Sequence, residues 1–462
     1  MEKGSKKIIR GWVMYDWANS VYNLVISSAI FPIFYDTVTT NSFKAKYFGT
    51  SIENAKEMVL PENVTVTVDF FGSQISSSVL FSYVLSASFL VVSFLSPLLS
   101  GVADYSGSKK RFMQFFCYFG AISCISLYFF DTSRIELSML SVFFASIGFW
   151  NSLVFYNAFL PEIAEPKDHD KISARGFSMG YFGSMLLLVI CLVLIKVPIF
   201  SFFDDPATEI KECMPVKYCF VLVGLWWVGF SQFTYRVLPH NVFNKKVEKG
   251  VLWRGLKELR NVYKEFQKTK RLKRFLTSFF FFNTGVQTVM LMAVLFAKKE
   301  IFSGQYEEEG KSGLIIAILL IQILGAAGAF LMSRFSIRFG NIRSLIISVS
   351  IWVLLCTFAY FITTPVQFYI LASGVGLVMG GVQAVARSTY SKFLPETTDH
   401  ASYFSFYDVT EKIGIVLGTF FFGLVEYLTN DLRFSVISIG IFFVLGLIML
   451  FRVPKEEVNV IS

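Results

Sequence analysis

The sequence predicts an all-α membrane protein, with twelve transmembrane helices in two six-helix halves. Three observations carry that expectation. The chain of 462 residues is 54% hydrophobic, holds 53 Phe, is only 16% charged and has a mean hydropathy of +0.57; soluble domains carry about 25% charged residues. Apolar runs able to cross roughly 30 Å of hydrocarbon recur along its length. Finally, the motif FLPE occurs at Phe159–Glu162 and again at Phe393–Glu396, an offset of 234 residues (393 less 159), each copy closing a long apolar run.

The predicted spans fall near 12–36, 77–98, 112–130, 137–158, 176–198 and 217–236, then near 275–297, 312–333, 342–362, 366–386, 405–427 and 433–452. The chain therefore divides into an N-terminal half at 1–236, a polar and basic linker at 237–274, and a C-terminal half at 275–462. In the linker, Val251, Leu256, Leu259, Val262 and Phe266 recur at near-helical spacing. That pattern predicts an amphipathic helix lying at the membrane interface. The opening segment reads as the entry to span one rather than a cleaved leader, because Asp16 and Asn19 interrupt its apolar core.

An even number of spans places both termini on one face. Lys and Arg favour that face by roughly three to one, which predicts a cytoplasmic side and fits a bacterial inner membrane. The formal charge of +9 is then a topology signal. The run KTKRLKR at Lys268–Arg274 has no aromatic or finger-like company, so nucleic acid is not an expected partner. A second echo supports the repeat: GVADYSGSKKR (Gly101–Arg111) follows span two and SRFSIRFGNIR (Ser333–Arg343) follows span eight. Aligning Gly107 with Gly340 gives an offset of 233 (340 less 107). Repeats with an even number of spans are related by an axis along the membrane normal, with substrate held between them near the midplane.

The loop GVADYSGSKKR resembles the G-x-x-x-D-x-x-G-x-K/R-K/R signature of the major facilitator superfamily, although Gly101 stands one residue closer to Asp104 than in that pattern. YDWANSVYNLVI (Tyr15–Ile26), ARGFSMGYFGSMLLL (Ala174–Leu188), GGVQAVARSTYSKFLPE (Gly380–Glu396) and YFSFYDVTEKIGIVLGT (Tyr403–Thr419) look like one branch of it. That branch holds the vacuolar amino-acid effluxers linked to fungal autophagy and their bacterial relatives. The resemblance covers nearly the whole chain. It implies the major facilitator fold, solute transport by rocker-switch alternating access and amino-acid efflux. It also implies a latch in which Asp104 meets the start of helix eleven when the protein opens outward. Ile337 stands where the first half has Asp104, so the latch is expected on one side only.

Polar groups inside a span usually face a bundle interior or a water-filled cavity. Asp16, Asn19 and Asn23 share a face of span one, near Tyr22. They are expected to line the cavity or couple transport to protons, with a helix-start acid as the alternative for Asp16. Asn151 and Asn157 in span four, Asn283 and Gln287 in span seven, Gln322 in span eight and Gln383 in span ten are amides able to bind a zwitterion or sugar. Interhelical hydrogen bonds are their other reading, and Trp150 is either a stacking wall or an interface residue. Gly107 permits the turn between spans two and three. It joins Asp104, Arg111, Glu162, Arg175 and Arg387 as a gate set on the cytoplasmic face. Asp408, Glu411 and Lys412 are placed at the mouth of helix eleven, as part of that gate or as a locally satisfied helix end. Apart from the shallow Asp16, no acid is expected at the centre of any span.

No Walker sequence or His/Cys cluster is present, so neither ATP nor a metal is an expected cofactor, and the chain is not expected to be an enzyme. Peptide, sugar, nucleoside, drug or organic-anion transport, or a non-transporting receptor, are the rival readings. The expected partners are a small solute, the bilayer and protons, with the monomer as the working unit. A Cys213–Cys219 disulfide and a glycosylation sequon at Asn63 are weaker expectations.

Overall fold

The computed structural model describes residues 3–61, 64–196, 214–239, 251–303, 306–429 and 431–455. Cys213 and Asn63 lie outside them. Twelve helical spans cover Lys6–Phe48, Ser77–Ser106, Lys109–Phe129, Thr132–Ile163, Pro166–Lys196 and Pro215–Val237 in the first half. Those of the second half are Lys270–Ile301, Ser312–Phe339, Asn341–Phe361, Pro365–Phe393, His400–Thr429 and Leu432–Phe451. Each predicted span is present. Most are longer than expected, because helix continues through the polar residues at their ends, where hydropathy falls but backbone hydrogen bonding does not.

Local chemistry sets several ends. Gly107 closes span two at φ 67°, a left-handed conformation that leaves the next residues free to start span three. Span ten opens on a capping box, Thr364 with Gln367, followed by Pro365 in the first turn. Span one changes to π-helix at Tyr22–Ala29 before resuming as Ile30–Phe48. The regular spacing expected of Asp16, Asn19 and Asn23 therefore ends at Asn19. Outside the first span a short hairpin pairs Thr67–Phe70 with Ser73–Ser76 through Phe71 and Gly72, both at positive φ. The linker carries the expected amphipathic helix at Val251–Lys268.

Across the two halves, span two packs on span eleven and span five on spans eight and ten. Within each half, glycines make further close approaches possible. A methyl on Gly176 of span five would enter the space of Asp16 Oδ2, and one on Gly380 of span ten would meet the backbone of Gly325. Gly4 N bonds Ile163 O and Arg274 bonds Arg452 O, which gathers both ends of the described chain on one face. That face is called here the termini face.

Candidate functional site

Hydrogen bonds between the halves gather on the termini face and at mid-membrane. The outermost station is built on Asp104, buried at the end of span two. Its carboxylate accepts from the backbone N–H of Ser402 at 2.7 Å and of Ala401 at 3.2 Å. These are first-turn amides of span eleven, without an intrahelical partner and at the positive end of its dipole. Lys109 Nζ lies 3.4 Å from Asp104 and also pairs with Glu162, whose carboxylate lies 3.1 Å from His400 Nδ1. Asp399, just before span eleven, has its pKa pushed up to about 6 by burial, Asp104 and Glu258, against the pull of Lys109.

A second station closes the other seam. Asp170, buried at the start of span five, accepts from Asn341 Nδ2 at 2.7 Å and Ser336 Oγ at 3.0 Å, and pairs with Lys392 Nζ at 2.6 Å. The expectation of a one-sided latch is therefore corrected. Ile337 does leave the second loop without an acid, but the acid comes instead from the facing helix. Asp170 gave no sequence signal, since an acid among polar loop residues reads as solvated.

The third station lies deeper. Arg387 of span ten reaches into the first half, 3.1 Å from Asp16 Oδ2, and donates to Ser173 Oγ at 3.0 Å, Ser173 O at 2.9 Å and Asn157 Oδ1 at 3.3 Å. Tyr156 Oη donates to the same Asp16 oxygen at 2.7 Å. The Arg387 guanidinium also stacks over Phe177 at 4.1 Å and Trp12 at 4.9 Å. Asp16, assigned from sequence to the cavity, and Arg387, assigned to the gate, are one buried pair.

The innermost cluster corrects the expected emptiness of the span centres. Span eleven begins at His400, so Lys412 sits about 18 Å along it and not at its mouth. Lys412 Nζ is fully buried, 3.0 Å from Asp408 Oδ1, 3.4 Å from Glu411 Oε2 and 3.3 Å from the centre of the Trp150 ring. Ser96 Oγ of span two donates across the halves to Asp408 at 3.2 Å and lies 3.1 Å from Asn151 Oδ1. Gln287 Nε2 donates to Glu411 at 2.7 Å. One ammonium thus faces two carboxylates.

The remaining candidates divide. Gln383 accepts from Tyr181 across the halves at 3.0 Å, and Gln322 from Ser184 at 3.2 Å. The amide nitrogens of Asn19 and Asn283 are buried without a hydrogen-bond partner among the described residues, and Asn23 is half-buried. Arg111 and Arg175 are exposed and take no part in the stations. Each stands on the outer face of its helix: Lys109 turns into the seam instead of Arg111, and Ser173 instead of Arg175.

A family model described as "Vacuole effluxer Atg22 like" matches residues 4–459. The chain is 28% identical over 463 residues to the MFS-type transporter YxiO of Bacillus subtilis (strain 168), covering 100% of this chain and 98% of that one. It is 23% identical over 506 residues to Autophagy-related protein 22 of Vanderwaltozyma polyspora, covering 98% and 91%. Among solved structures it is similar to the major facilitator transporter FucP in the outward conformation, with a TM-score of 0.65, 12% identity and coverage of 98% and 99%. The chain belongs to the vacuole effluxer Atg22 like family, on the major facilitator fold, and is an integral membrane transporter of a small solute rather than an enzyme.

Proposed function

We propose that the protein exports an amino acid, bound at the mid-membrane cluster of Asp408, Glu411 and Lys412. The observation that carries this reading is the charge balance of that cluster. Asp408 and Lys412 are buried and Glu411 is partly buried, so two acids and one base leave one negative charge without a cation among the described residues, in a place where an unpaired charge is costly. A zwitterion completes the set: its ammonium meets Glu411 beside Gln287, and its carboxylate takes a share of Lys412. A proton on one of the acids completes it equally well when the site is empty, which supplies a route to proton coupling through this cluster instead of Asp16. Trp150 walls the side of Lys412, and the free amide of Asn283 offers a further donor. The word "effluxer" in the family description supports efflux as the mode of transport. The Lys and Arg bias supports a cytoplasmic termini face, and the similarity to a Bacillus subtilis transporter supports a bacterial inner membrane.

The test is efflux from proteoliposomes loaded with a mixed pool of amino acids, sugars and nucleosides, read by mass spectrometry with and without a pH gradient. The expected result is selective loss of one or more amino acids, abolished in Lys412→Met. Selective loss of a sugar or nucleoside, or of no amino acid from folded protein, overturns the assignment.

A further inference from the structure

The linker helix does more than join the halves. It packs along span two, and Phe266 and Tyr263 lie 5.7 and 6.0 Å from the Phe406 ring of span eleven. It therefore touches both sides of the closed seam beside Asp104. Its seat is a glycine pair. A methyl on Gly255 would meet Val102 N at 2.8 Å, and one on Gly101 would strike Gly255 backbone. Gly101 is the residue that stands off the usual loop pattern, and here it receives the linker helix.

The other surfaces of this helix are sharply sorted. Gly255, Val262 and Phe266 form its buried centre. Glu258 and Glu265 lie on one flank, and Glu258 is near enough to Asp399 to raise its pKa, so this flank faces the seam. On the opposite flank Leu256 and Tyr263 are 41% and 51% exposed. The next stripe round the helix is Lys257, Arg260, Lys264 and Lys268, all exposed. Only Thr269 separates the helix from span seven, which starts at Lys270, so it lies at the membrane surface. Half-exposed Leu256 and Tyr263, the latter with its ring edge against Phe406, are bordered by the exposed basic stripe, and an apolar edge beside a basic one at that depth matches the boundary between acyl chains and anionic headgroups.

We propose that this outer flank docks on anionic phospholipid headgroups, and that the docking holds the linker helix across the closed seam. The experiment is amide hydrogen exchange of residues 255–268 in nanodiscs of phosphatidylcholine, with or without phosphatidylglycerol. Each basic side chain near an anionic surface contributes about fivefold in binding. The expected result is exchange slowed at least about tenfold by phosphatidylglycerol in the wild type. That effect should vanish in K257Q/R260Q/K264Q/K268Q and persist in E258Q/E265Q, whose changes face the seam. Equal exchange in the two lipids for the wild type, or a phosphatidylglycerol effect retained by the quadruple variant, overturns the proposal. Either result leaves the amino-acid assignment untouched, because it concerns a different surface.

Discussion

Arg387 directs all its described hydrogen bonds into the opposite half. Opening the termini face must break them together, so the residue acts on the balance between states as much as on folding. Breaking a buried pair from one side leaves an uncompensated charge, at a cost of about 3–5 kcal/mol. Arg387→Gln is expected to destabilise the closed form by about that amount, since Asp16 then keeps only Tyr156. Asp16→Asn is expected to cost less, because Arg387 retains Ser173 and Asn157. The double variant should fall well short of the sum of the singles. Thermal unfolding of the four proteins in one detergent measures the cycle, and strict additivity would mean that the pair is not coupled.

At the scale of the element, the beginning of span eleven decides most of what was misread. Hydropathy starts this span near residue 405, yet helix begins at His400. Ser402 and Ser405 are buried there against neighbouring helices, so the polar composition reflects contact between protein surfaces and not contact with water. The twelve spans were legible because the bilayer requires each one to be predominantly apolar over about 20 residues. The inter-half bonds were not, because their partners lie far apart in sequence: Asp16 and Arg387 are 371 residues apart. The latch at Asp104 was legible only through its motif. Two expectations follow at this scale. Gly255→Val cannot keep its seat on Gly101, so it should lift the linker helix and speed amide exchange over 255–268 with spans two and eleven intact. Unchanged exchange would show that the glycine contact does not seat the helix. Asp399, just before the span, gives a pH dependence. Burial, with Asp104 and Glu258 beside it, raises its pKa to about 6, so closing the seam takes up a proton. The closed form should therefore gain as pH falls from about 6 toward 4, and lose that gain as pH rises through about 6. Spin labels on the termini-face ends of spans two and eleven read the closed fraction. Asp399→Asn should flatten its response in that window, and an unaltered slope would place the titration elsewhere.

For the whole molecule, the two halves are bridged by contacts of opposite polarity. On one seam an acid at the end of span two caps span eleven; on the other an acid at the start of span five collects side chains from spans eight, nine and ten. The repeat preserves the place of the latch and exchanges which partner carries the charge. A carrier needs both seams to release within one cycle, so neither latch can be deep enough to trap the closed state. Hydrogen bonds to a charged group contribute about 1.5–3 kcal/mol each, so an Asp→Asn change, which keeps one acceptor oxygen and loses one such bond, should raise the ratio of open to closed molecules by about ten- to a hundredfold. Asp104→Asn and Asp170→Asn share no described partner. If the seams open independently, the double variant should show the product of the two single ratios, to within about 0.5 kcal/mol. If the halves instead open as one two-state unit, each single variant should raise the open fraction at both seams, whereas independent seams should each respond only to their own variant. The spin-label pair across spans two and eleven, with a second pair across spans five and eight, separates these outcomes. Independent release is the expected one, because no described hydrogen bond joins the Asp104 set to the Asp170 set.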